Sequence, residues 1–73
     1  MKVIAKFKCD AVLNYEHSQE IQLSPVTSGS EENKSFCKYT PWGNLKMGID
    51  ESTPAYNSFT PGKFYFLTFE ETI

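Results

Sequence analysis

The sequence predicts an all-β fold with minor helical turns, a small antiparallel sandwich or partial barrel of four to six strands in one domain, 1–73. Three observations carry this expectation. Apolar and polar residues alternate with period two over residues 2–12, 20–26 and 44–50, the pattern of half-buried strands. Prolines and glycines cluster between the runs, where turns are needed. Aromatic residues make up 15% of the chain. Their large rings let a core form in a chain so short that folding hides only about 60% of its unfolded surface.

The elements follow in order. Val3, Ala5, Phe7, Cys9 and Ala11 fall on one side of the first strand, and Lys2, Lys6, Lys8 and Asp10 on the other, with Ile4 the exception. The lysine row reads as a solvated face that discourages edge pairing. Asn14–Ser18 is a turn holding His17, the single histidine. Glu20–Val26 is a second strand with Ile21 and Leu23 inward, and Pro25 puts an edge or an end near it. The short link between the two strands predicts a hairpin. A long polar and aromatic connection, Ser28–Gly43, comes next. Ser30 with Glu31 and Glu32 resembles a helix start, so one or two helical turns are expected over Glu31–Phe36. Thr40-Pro41-Trp42-Gly43 reads as a tight turn.

Asn44–Asp50 is a third strand, Leu45, Met47 and Ile49 inward. Thr53-Pro54 predicts a short helical turn over Pro54–Phe59. Thr60-Pro61-Gly62-Lys63 has Pro and Gly at the central places of a type II turn. The last strand, Lys63–Phe69, is apolar on both faces, which predicts a central strand covered twice or a strand at an interface. Phe64, Tyr65, Phe66 and Leu67 are the expected contacts of a homo-oligomer.

Composition narrows the function classes. The formal charge is −2 and there is no arginine. The bidentate fork for phosphate and guanine is therefore missing, and duplex nucleic acid is not an expected partner. No apolar run approaches the roughly 20 residues of a membrane span, and no membrane partner is expected. The N-terminal run has no signal-peptide layout, so a reducing cytosol with Cys9 and Cys37 as free thiols is expected. A Cys9–Cys37 bridge would belong to an exported protein.

Catalysis is not expected. One histidine and no paired-cysteine motif give no zinc site, and His17 has no evident nucleophile and orienting partner. No phosphate loop is present and no cofactor is implied. Binding has better support. Glu32, Asn33, Lys34 and Thr40 offer hydrogen-bonding groups, and Phe36, Tyr39 and Trp42 offer flat faces, the ingredients of a pocket for a nucleotide-like ligand or host protein. The same residues also suit a lid on the core, with Asn33 bonded to local backbone. Both readings stay open at this stage.

The run from Ser30 to Ile49, SEENKSFCKYTPWGNLKMGI, followed by FTPGKFYFLTF, resembles a group of small tailed-phage accessory proteins. Their layout is ENKxF…TPxG…L-x-M…FxPGKxYYLxF. The matching residues are Glu32-Asn33-Lys34, Phe36, Thr40-Pro41, Gly43, Leu45, Met47, Phe59, Pro61-Gly62-Lys63, Tyr65 and Leu67. The sequence departs from the layout at Cys37, Trp42 and Phe66. The resemblance implies a virus-encoded protein working in the cytoplasm of an infected bacterium. Two roles follow by analogy: inhibition of host defence by sequestering a nucleotide-like ligand or host protein, or a minor structural or decoration place in the virion.

Overall fold

A computed structural model describes residues 2–73; Met1, part of the predicted domain, lies outside the described residues. Four strands form one antiparallel sheet: β1 (Lys2–Asn14), β2 (Ser18–Pro25), β3 (Leu45–Asp50) and β4 (Phe64–Glu70). Their order is β3-β2-β1-β4, and the sheet curls into a half-barrel. Of the two predicted architectures, the partial barrel is the one formed. Its extents are 40 × 32 × 15 Å, so the molecule is a curved slab rather than a ball.

The β1–β2 hairpin and the alternation of β1 are as expected up to Cys9. There the register shifts by a bulge between Cys9 and Ala11. The extra residue hands the core phase from Ala11 to Val12, which packs against the buried cluster while Ala11 is only half-buried. That cluster is Ala5, Phe7, Cys9, Ile21, Leu23 and Ile49. Pro25 is the last residue of β2, opposite Phe7, where its missing N–H interrupts no ladder further along.

Three expectations need correction. β4 is not central: it pairs only with β1 and forms one edge of the sheet. Phe64, Phe66 and Phe69 are accordingly exposed. Residues 40–43 make no tight turn: among the described residues no hydrogen bond closes Gly43 onto Thr40, and the chain runs without a bend from Lys38-Tyr39 past the buried Pro41 into β3. The expected helical turn over Pro54–Phe59 is a string of separate turns. The amides of Thr53, Tyr56 and Ser58 each bond the carbonyl three residues back, and Asn57 then takes a left-handed φ of 64°. The type II turn at Thr60–Lys63 does form, closed by the Lys63 amide on the Thr60 carbonyl at 3.1 Å with Gly62 at φ 89°.

The loop 51–62 packs against the core at one end of the concave face. The rings of Phe59 and Tyr65 meet at 5.0 Å between centroids. The Tyr65 hydroxyl accepts the Thr60 amide at 2.9 Å. Buried Gln19 donates from Nε2 to Asn14 Oδ1 at 3.0 Å and Asn57 Oδ1 at 2.7 Å, and accepts the Asn57 amide at 3.1 Å.

Candidate functional site

The other end of the concave face is organised around the connection after β2. Its helical piece is a single 3₁₀ turn, Glu32–Ser35. The N-cap position is Glu31, without a side-chain cap bond, rather than the expected Ser30, whose hydroxyl one residue earlier accepts the Asn33 amide at 3.4 Å and donates to Glu32 at 3.1 Å. Asn33 is 2% exposed and fills the gap left when β2 ends at Pro25. Its Oδ1 accepts the Lys6 amide at 2.7 Å, and its Nδ2 donates to the carbonyls of Lys6 and Val26, each at 2.9 Å. One side chain thus does the work of a missing strand residue, and both amide protons are committed to backbone. Asn33 ties the connection to β1.

From that anchor two clefts open. The first is a polar notch of about 70 Å³ lined by residues 26–30 with Asn33, Lys34, Cys37, Tyr39 and Pro41. It is small, and Lys34, which borders it, is paired with Glu31 at 3.0 Å. The second is an apolar cleft of about 220 Å³. Its floor is Val3, Ala5 and Phe7 of β1 with Pro25 of β2, and its walls are Phe36, Trp42 and Phe69. Trp42 is 86% exposed and Phe36 44%. A lid ring would be buried by the core it closes, whereas these rings stand free above an apolar floor.

The predicted site residues therefore divide. Phe36 and Trp42 meet in the apolar cleft; Asn33, Lys34 and Tyr39 border the polar notch; Glu32 and Thr40 line neither. Tyr39 is exposed, with the Lys38 ammonium 5.6 Å from its ring centre. Sequence reasoning missed the floor and the third wall, Phe69. A signal was present. Antiparallel pairing of the first and last strands sets Val3 against Phe69 and puts both on the face of Ala5 and Phe7.

Among the described residues the titratable side chains near the site, Lys34, Cys37 and Tyr39, border the polar notch, and none lines the apolar cleft. His17 stands just before β2 and meets Glu51 at 2.9 Å, while Cys37 belongs to the layer at the far end of that strand. Eight residues of strand, on the order of 20 Å, separate them. Cys9 is fully buried, and burial pushes its thiol pKa up, so it is a protonated core group at neutral pH. Both cysteines are free thiols. Among the described residues no three His, Cys, Asp or Glu side chains gather to hold a metal ion, and no helix is long and apolar enough to cross a membrane. No protein-family model, curated protein or solved structure matches the chain.

Proposed function

We propose that this is a non-enzymatic, phage-encoded binding protein that captures a host protein by taking one apolar side chain into the cleft beneath Phe36 and Trp42. The observation that carries the reading is the exposure of Trp42 over a floor of Val3, Ala5, Phe7 and Pro25. A bare indole on an apolar floor gains from burial and stacking when an aromatic or aliphatic anchor enters. The cleft volume lies below the roughly 300–1,000 Å³ of pockets for drug-sized molecules and suits a single side chain.

Of the two ligand classes expected from the sequence, the protein has the better support. A nucleotide brings phosphates, and among the described residues no charged side chain lines the apolar cleft. The polar notch, at about 70 Å³, has room for about two waters rather than a base. Inhibition of host defence in the infected cell's cytoplasm is the role this capture would serve. The test is capture from bacterial lysate by wild type and by Trp42→Ala, followed by titration of the identified protein against Trp42 fluorescence. The expected result is a partner held by wild type, lost by the variant, and shifting the emission to shorter wavelength. A partner held equally by both would overturn the reading, as would a saturable shift from a panel of nucleotides with no protein captured.

A second reading, a minor structural or decoration component of the virion, is favoured by the bare apolar edge of β4. Mass spectrometry of purified particles separates the two roles.

A further inference from the structure

β4 combines three properties rarely left together at an edge. It carries no Lys, Pro or Gly from Phe64 to Glu70, whereas the opposite edge, β3, is interrupted by Lys46 and Gly48. Its backbone is half used. Cys9 exchanges hydrogen bonds with the chain entering β4, at 2.9 Å to the Lys63 carbonyl and 2.8 Å from the Gly62 amide. That fixes the alternation: Tyr65, Leu67 and Phe69 turn their amides and carbonyls toward β1, and Phe64, Phe66, Thr68 and Glu70 turn theirs outward. Finally, the outer face beside that edge exposes apolar rings at the edge itself, with Phe66 65% exposed and Phe64 exposed near it, next to the lysine row of β1.

The whole molecule also exposes too much surface. Its accessible area is 5542 Å². A compact chain of 8.3 kDa exposes about 4,600 Å². The excess, about 900 Å², matches the roughly 800 Å² that each partner contributes to a stable interface.

We propose that the occupant of this edge is a second copy of the chain, paired β4 to β4 antiparallel about a two-fold axis at Leu67. This register overlaps all of Phe64–Glu70 and satisfies every outward group, with about eight backbone hydrogen bonds. It sets Phe66 opposite Thr68 of the second copy and makes the two Phe66 rings diagonal neighbours on the outer face. It also sets Lys63 opposite Glu71 of the second copy at both ends. Parallel pairing in register would instead oppose Glu70 to Glu70 and Glu71 to Glu71. Charge therefore selects the antiparallel arrangement. The product is an eight-stranded sheet with both concave faces on one side. The pairing is independent of what the apolar cleft takes, and it would hold in a free or a virion-bound protein.

The experiment measures self-association of the full chain by analytical ultracentrifugation, with circular dichroism to check folding. Wild type is expected to be a dimer that dissociates on dilution. Phe66→Glu places a carboxylate beside Lys6 in its own sheet, which keeps the monomer folded, but near its own image across the axis. It is expected to weaken the dimer about 100-fold, and Phe66→Lys to do the same. An equimolar mixture of the two is expected to regain dimers, because opposite charges now meet across the axis. Phe66→Pro removes an outward amide and no β1 hydrogen bond, so it is expected to stay folded and monomeric. A wild type monomeric at every concentration would overturn the proposal. So would Phe66→Pro dimerising like wild type, or a mixture that stays monomeric while both charged variants are folded. Failure here leaves Trp42-dependent capture untouched.

Discussion

The two ends of one concave face received the same kind of residue and opposite treatment. At the end under loop 51–62, Phe59 and Tyr65 stack, Tyr65 bonds the Thr60 amide, and Gln19 binds Asn14 and Asn57. At the end under the 26–43 connection, Phe36, Trp42 and Phe69 surround an apolar floor and leave it open. The difference lies in what anchors the crossing chain. Loop 51–62 is fastened along its length by aromatic and amide contacts that pull it onto the sheet. The longer connection is fastened at its root by Asn33, and its far half leaves Tyr39 83% exposed and Trp42 86% exposed on either side of the buried Pro41. A ring held by a polar partner becomes core; a ring held only by its backbone stays available.

The largest test of that contrast is the anchor itself. Asn33→Asp sets a buried acceptor against the Lys6 and Val26 carbonyls, and the Val26 carbonyl loses its donor while that of Lys6 keeps only the Val26 amide at 3.0 Å. The expected loss is about 3–5 kcal/mol, read from urea unfolding, and at this chain length that approaches the whole stability. A loss under about 1 kcal/mol would show that the stitch does not hold the connection.

Next comes the sealed end. Gln19→Ala removes three side-chain hydrogen bonds to Asn14 and Asn57 and is expected to cost about 2 kcal/mol. Amide exchange should quicken in loop 51–62 and leave residues 30–37 unchanged. Uniform quickening across the chain would mean that the two ends are not separate units.

Much of this architecture was legible in the sequence, and the gaps have physical causes. Period-two alternation reports which faces of a strand are buried, so β1 to Cys9 and β2 could be read directly, whereas in the edge strand β3 only Ile49 is buried and Met47, expected inward, is 44% exposed. Alternation says nothing about which strand stands at an edge, so the two-sided apolar β4 fitted a central strand as well as one at an interface, and the central alternative is the one the sheet order excludes. A bulge shifts phase without a marker residue, which hid the exchange of Ala11 for Val12. The site was half legible. Phe36 and Trp42 could be named because unpaired rings in a polar run invite it. The part played by Asn33 could not, since its partner Lys6 lies 27 residues away and offers only backbone.

The open end predicts a smaller effect on stability and a complete one on binding. Trp42→Ala removes a ring that is mostly in water, so stability is expected to change by no more than about 0.5 kcal/mol. Phe59→Ala, its counterpart at the sealed end, should cost several times as much. Equal thermal shifts for the two would erase the distinction between the ends.

The smallest expected effect concerns the hinge from which loop 51–62 departs. Asp50 Oδ1 accepts the Ser52 hydroxyl at 2.6 Å and the Ser52 amide at 2.8 Å. These two bonds, the hydroxyl's first, hold its carboxyl below the usual aspartate value, against a slight opposing effect of desolvation. A lowered pKa means the charged form is favoured by folding. Its contribution is complete above the ordinary carboxylate pKa, near 4, and fades as the pH falls from there through the depressed native value. Lowering the pH through this range should loosen residues 51–53 and be followed in the amide resonances of Ser52 and Thr53. Asp50→Asn should abolish that titration and leave the open end unmoved. If Trp42 fluorescence follows the same acid transition in wild type and not in the variant, the two ends are coupled through the sheet, and the contrast between them must be redrawn.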